Sequence, residues 1–214
     1  MQGQIFNILR DSKLGIDIQA SSDTVVSDFQ KYLDLLVKWN RKINLTSEKS
    51  SEEILQRHVF DSIQYCRFIE PDSKLLDIGS GAGFPGIPLK IIFPKLQLVM
   101  VESQRKRCSF LEAVVRELGF QDTKVFNSRA EDISTSEEGR FNAVVFRAVT
   151  DSFGCLSLAE RFISAGGKII LKKDTREDIK SLGPQSKFLL QKEITIKNYH
   201  GVASNMVVFE KCFT

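Results

Sequence analysis

The stretch that most constrains this chain runs Leu75-Leu76-Asp77-Ile78-Gly79-Ser80-Gly81-Ala82-Gly83-Phe84-Pro85-Gly86-Ile87-Pro88. A short apolar run carries a carboxylate, three glycines follow at alternate positions, and an apolar, helix-like segment resumes at Ile87. That is the pattern of a strand, a tight turn and a helix start. Glycine belongs where φ must be positive or where a ligand must lie against bare backbone, and the helix that follows presents unpaired N–H groups. The stretch predicts a ligand-holding loop at the end of a strand. A tight turn without a ligand is the plainer alternative.

The residues around the glycines narrow the ligand. A dinucleotide fingerprint can be laid on Gly81, Gly83 and Gly86, but Pro85 interrupts it and Asp77 brings a carboxylate to the mouth of a pyrophosphate site. S-adenosylmethionine has no phosphate and carries an α-ammonium and a sulfonium, so an acidic residue beside a glycine loop suits it better. Asp77-x-Gly79-x-Gly81-x-Gly83 looks like the first motif of Rossmann-like methyltransferases.

Upstream, Val25, Val26, Phe29, Tyr32, Leu33, Leu36 and Val37 form a helical stripe over 24–40. A second helical segment spans about 51–68 and carries Arg57, His58 and Asp61, with Arg57 and Asp61 spaced to pair on one face. Between them, Trp39 to Ser47 places Arg41, Lys42 and Asn44 beside an aromatic. That edge reads equally as an RNA contact, with cations on phosphate and amides on bases, or as a helix end with favourable cations and a polar turn. His58 has the same two faces, a proton carrier or a satisfied structural residue. Residues 1–70 are thus expected to form a helical extension packed on a core of residues 71–214.

Beyond the loop, strands and helices alternate. Strands are predicted at 75–78, 96–101, 123–126, 142–146 and 168–171, with helices at 105–118 and 153–163, the latter stopped by Gly166-Gly167. Two further strands, 189–196 and 206–210, have no full helix between them. The expectation is an α/β fold, a seven-stranded and mostly parallel sheet with an antiparallel edge hairpin. Ligands of such sheets bind beyond the carboxyl ends of the strands. Glu102 follows the second strand, some twenty residues past the glycines, and is placed to accept from ribose hydroxyls. Ala130, Glu131 and Asp132 follow the third and would border an adenine. Phe84 packs on the ligand or in the core. Arg147 follows the fourth strand, where it holds an anionic group or pairs with Asp151; Lys172, with Lys173 beside it, follows the fifth.

A chain of 214 residues with 42% hydrophobic content can bury one substantial core plus a small appendage. Its net charge of +3 permits a polyanionic partner without demanding one. Four scattered cysteines without C-x-x-C spacing suggest neither zinc nor disulfides and read as reduced cytoplasmic thiols. No apolar run reaches membrane-spanning length and the first residues do not resemble a signal peptide, so a cytoplasmic location and no membrane contact are expected.

With these residues collected, the chain resembles the bacterial glucose-inhibited division protein B family, the guanine-N7 methyltransferases of small-subunit (16S) ribosomal RNA. The resemblance rests on Lys38-Trp39-Asn40, Ile43-Asn44-Leu45-Thr46, Arg57-His58, Asp61-Ser62, the run from Asp77 to Pro88, Ser128-Arg129-Ala130-Glu131 and Arg147-Ala148, in that order. It implies a Rossmann-like class I methyltransferase using S-adenosylmethionine, with cofactor contacts at Gly79, Phe84, Ala130, Glu131 and Arg147 and Glu102 on the ribose. It further implies a monomer acting on small-subunit RNA, within the 30S subunit or an assembly intermediate, without a metal. Asp77, Gly81 and Gly83 complete the expected cofactor set; Arg147, Lys172 and Asp61 are the expected catalytic residues, and Arg41, Lys42, Asn44, Arg57 and His58 the expected RNA contacts. Lys173-Asp174 stand where the family has a glycine, and Ser204-Asn205 where many members have an arginine. A methyltransferase of small molecules or proteins is the alternative.

Overall fold

The computed structural model describes residues 1–14, 23–146, 152–173 and 187–212. In chain order it contains helix α1 (Gln2–Leu9), α2 (Asp23–Ile43), α3 (Ser51–Ile54), α4 (Phe60–Ile63), strand β1 (Lys74–Ile78), α5 (Gly86–Ile92), β2 (Gln97–Glu102), α6 (Arg105–Glu117), β3 (Thr123–Asn127), β4 (Phe141–Phe146), α7 (Ser152–Ala159), β5 (Ile163–Lys173), β6 (Phe188–Lys197) and β7 (Ala203–Lys211). A π-helical turn, Leu55–Val59, joins α3 to α4, and a 3-10 turn, Gln64–Phe68, ends the run. The predicted second helix is therefore continuous but irregular, and its π turn carries Arg57 and His58. Ser50 starts it with a reciprocal cap: its hydroxyl accepts from Glu53 N while the Glu53 carboxylate accepts from Ser50 N.

The strands form one sheet in the order β3-β2-β1-β4-β5-β7-β6. The first five are parallel, and β7 runs antiparallel between β5 and β6. The strand order reverses at β1 and β4, so the crevice beyond their carboxyl ends is where this topology binds ligands. Alternation along the strands divides two apolar clusters. Leu75, Leu98, Met100, Val145 and Ile170 face the side covered by the N-terminal helices, α5 and α6; Leu76, Val99, Val144, Leu171 and Phe209 face α7. The stripe on α2 is buried except for the half-buried Val37, and it packs in the same cluster as the first sheet face.

One boundary differs from expectation. The helix after β4 stops at Ala159 rather than at the glycine pair, and β5 already begins at Ile163. Between the pairs Phe141↔Ile163 and Ala143↔Lys168, the β5 side carries extra residues. Gly166 (φ 72°) and Gly167, where a Cβ would meet Ile163 Cγ1 at 2.7 Å, let this bulge form inside the strand.

Candidate active site

The glycine loop is shaped by its own backbone. Gly79, Gly81 and Gly83 have φ values of 77°, 56° and 93°, a region that side chains rarely adopt. Gly79 N and Ser80 N donate to Val101 O at 2.9 and 3.2 Å, lacing the loop to β2, and Gly83 N returns to Ser80 O at 2.7 Å. From the other side, Tyr32 Oη on α2 donates to Ala82 O at 2.7 Å. The N-terminal segment thus holds the loop directly.

Asp77 has a different place from the one expected. Its side chain is fully buried beneath the loop, Oδ2 accepts from Gly86 N at 3.0 Å, and it caps the start of α5 instead of lining the crevice. Gly86 is required there, because a Cβ would stand 2.7 Å from that oxygen. Gly83 likewise does not line the crevice; a Cβ on it would meet Ile87 Cγ1 at 2.5 Å. These two residues build the loop from behind.

The acidic group at the crevice is Glu102. It is 5% exposed, and its Oε2 and Oε1 accept from Gly81 N at 3.0 Å and Gln104 N at 2.8 Å, with Arg107 Nη1 at 3.9 Å. The Cys108 thiol behind it is 3.0 Å from Glu102 O, and burial together with the charge of Glu102 raises its pKa. Around Glu102 opens a cleft of about 700 Å³, floored by Gly79, Ser80 and Gly81 and bordered by Ile78, Ala82, Phe84, Ala130, Glu131 and Leu158. Backbone amides, one braced carboxylate and apolar walls suit an adenosine with a charged tail, and the volume suits a ligand of that size. Among the described residues no group of three His, Cys, Asp or Glu side chains could hold a metal.

Leu45, Thr46 and His58 close the cleft on the N-terminal side. His58 stacks on Phe84 with ring centroids 5.0 Å apart, and Phe84, 6% exposed, meets both Tyr32 and the cleft. The expected Arg57–Asp61 pair is not formed. Arg57 instead lies 3.2 Å from Glu48, and Asp61 is bonded to Lys172. The π turn explains the change, since it carries Arg57 and offsets it from the α-helical spacing to Asp61 in α4. Arg41, Lys42 and Asn44 are exposed at the end of α2, Asn44 with φ 50°, while Asn40 is buried and tied to Glu48 O and Thr46 N. Arg147 and Asp174 lie outside the described residues. Glu48 and Tyr32 are additions to the site, Tyr32 alone with a signal as the one hydroxyl on a buried stripe, while Gln104, with Arg107, belongs to a stretch that reads either as a phosphate-facing turn or as a solvated helix start.

Solved structures with this architecture include a P. horikoshii TYW2 in complex with MeSAdo (TM-score 0.57, 14% identity, 72% of this chain and 62% of that one). A SAM-dependent methyltransferase from Aquifex aeolicus aligns with TM-score 0.54 and 14% identity, over 73% of this chain and 92% of that one. The architecture is the Rossmann-like fold of these methyltransferase structures. The family model for rRNA small subunit methyltransferase G, GidB, matches residues 25–207. The chain is also 35% identical to "Ribosomal RNA small subunit methyltransferase G" of Alkaliphilus metalliredigens (95% of this chain, 89% of that one) and 38% identical to the protein of that name in Geobacter sulfurreducens (81% and 79%). The chain belongs to the GidB family of rRNA small subunit methyltransferases.

Proposed function

We propose that this protein transfers a methyl group from S-adenosylmethionine to N7 of a guanine in small-subunit ribosomal RNA. The observation that carries the cofactor half is the braced carboxylate of Glu102 beside the bare backbone of Gly79 and Gly81, at the reversal of strand order. Glu102 accepts from the ribose hydroxyls; Ala130 and Glu131 border the adenine; Phe84 packs against the ligand. Arg147, the next residue in sequence after Phe146, is assigned to this set by the family resemblance. Family membership supplies the acceptor.

When bound, S-adenosylmethionine supplies an electrophilic methyl group on a sulfonium. Guanine N7 has a lone pair and no proton to lose, so this chain needs no general base, and its contribution is alignment and exclusion of water. Thr46 and His58 form the wall that meets the acceptor, and Arg57, with an exposed side chain paired to Glu48, is assigned to the RNA. Arg41, Lys42 and Asn44 contact the RNA further out, and the Lys172–Asp61 pair acts at the end of β5, where Asp61 balances the positive charge gained by the methylated base. The partner is small-subunit RNA within the 30S particle or an assembly intermediate, met by a cytoplasmic monomer that needs no metal. No helix of the described residues is long and apolar enough to cross a membrane.

The test is methyl transfer from labelled S-adenosylmethionine into small ribosomal subunits that lack the modification, followed by borohydride and aniline cleavage at N7-methylguanine. Label at one guanine is expected. A protein that binds the donor yet labels neither subunits nor naked RNA would have a different acceptor.

A further inference from the structure

We propose that Arg161, in the connection between α7 and β5, is a positioning residue that sets the affinity of the cleft for the adenosine half of its cofactor. It does so through the turn that carries Ala130 and Glu131. The inference rests on the reading that these two residues border the adenine.

The turn has little of its own to hold it. Ala130–Asp132 is a single 3-10 turn of three residues, closed by backbone bonds of 3.2 Å (Asp132 N to Arg129 O) and 3.3 Å (Ile133 N to Ala130 O). Poor geometry and short length make such a turn marginal by itself. Arg161 supplies what is missing. Its Nη2 donates to Ala130 O at 3.0 Å and to Ile133 O at 2.6 Å, so one guanidinium nitrogen joins both ends of the turn. Charge-assisted bonds of this kind are stronger than neutral ones, and the planar fork fixes their direction. The guanidinium is itself held, 4.5 Å over the Phe162 ring and with Nη1 3.7 Å from Glu138.

The consequence reaches the cleft because Ala130 and Glu131 line it. With both carbonyls tied down behind the turn, the amides in front keep a fixed orientation, and binding does not have to order them. The backbone at Arg161 is anchored without its side chain: Gly139 N donates to Arg161 O at 2.8 Å and Phe141 N to Phe162 O at 3.1 Å. Removing the guanidinium therefore releases the turn and leaves the β4–β5 register in place.

Calorimetry of the full-length protein with two probes, S-adenosylhomocysteine and 5′-methylthioadenosine, tests this; the second lacks the amino-acid tail. Arg161→Ala is expected to weaken both by the same factor, roughly tenfold, the part of the two lost bonds' stabilisation that binding must then restore. The melting temperature falls by a few degrees, as the loss of the two bonds requires, while the binding stoichiometry and the kcat at saturating donor stay as in the wild type. Arg161→Lys, which keeps a charged donor nitrogen but not the planar fork, falls between, and it carries the test if the alanine variant does not fold. Unchanged affinity in the variants overturns the inference alone, as does a fall in stoichiometry at constant affinity. A wild-type protein that binds neither probe overturns the cofactor reading and this inference with it.

Discussion

Glu48 Oε2 lies 2.6 Å from His58 Nε2, and the imidazole so held is the ring that stacks on Phe84 at the cleft wall. An ionised carboxylate offers only lone pairs, so Nε2 carries a hydrogen. Burial by itself would raise the Glu48 pKa, but hydrogen bonds from Thr46 and His58, its own backbone N–H and the charge of His58 outweigh it and hold the carboxyl well below its ordinary 4.5. A lowered pKa in the folded state stabilises the fold above the ordinary value, and that contribution fades as pH falls below it. Glu48→Gln should therefore cost about 1–3 kcal/mol at neutral pH. In urea titrations the penalty should shrink once pH drops below 4.5. An equal penalty at both pH values would place the stabilisation in packing rather than in the charge.

Glu102 makes a sharper claim on binding. Its carboxylate accepts from Gly81 N and Gln104 N, so removing it takes away the group assigned to the ribose and also slackens the loop floor. Charge-assisted hydrogen bonds contribute about 1.5–3 kcal/mol each, and about 1.4 kcal/mol is tenfold in affinity. Glu102→Ala should weaken S-adenosylhomocysteine by at least about tenfold in calorimetry, with Glu102→Gln closer to the wild type because the amide oxygen still accepts one bond. Wild-type affinity in Glu102→Ala would remove the carboxylate from the ligand.

The sheet was legible because each of its strands is a short apolar run closed by a turn or a helix stripe, and the observed strands match those runs to within a few residues except at β5. There the glycine pair, which reads as a helix stop, serves instead as a bulge, a choice made by pairing with β4. The cleft was legible in its floor: alternate glycines mark the loop, and spacing puts Glu102 beside it. The burial of Asp77 behind the loop was not legible, because a carboxylate at a loop reads alike whether it turns toward the cleft or back to accept from the start of α5. The Glu48–His58 contact was hidden for a similar reason. It joins a turn to a π-helical segment, and neither leaves a periodic trace.

Gly81 and Gly83 look equivalent in sequence but not in space. Around Gly81 (φ 56°) the nearest atom to an added Cβ is Gly79 O at 3.9 Å, whereas at Gly83 (φ 93°) Ile87 Cγ1 would be 2.5 Å away and Leu111 Cδ2 3.2 Å. Gly81→Ala should cost about 1 kcal/mol from the left-handed backbone alone. Gly83→Ala adds overpacking of about 1–3 kcal/mol, so its urea midpoint should fall clearly below that of Gly81→Ala. Equal midpoints would mean that the Ile87 side chain moves aside freely.

Lys172 and Asp61 join the end of β5 to α4 by an ion pair with side chains only 20% and 11% exposed, and Asp61 Oδ1 has no hydrogen-bond partner among the described residues. Removing one member of such a pair strands the other, which costs about 3 kcal/mol or more, whereas replacing both costs much less. Lys172→Met should therefore destabilise strongly, and Asp61→Asn added to it should restore most of the loss, a coupling that a double-mutant cycle in urea measures directly. That restored protein separates structure from chemistry. With fold and donor binding intact, methyl transfer to ribosomal subunits should still be lost, because both charges assigned to the acceptor side are gone. Full transfer by the double variant would confine the pair to fastening β5 to α4 and remove both residues from the acceptor site.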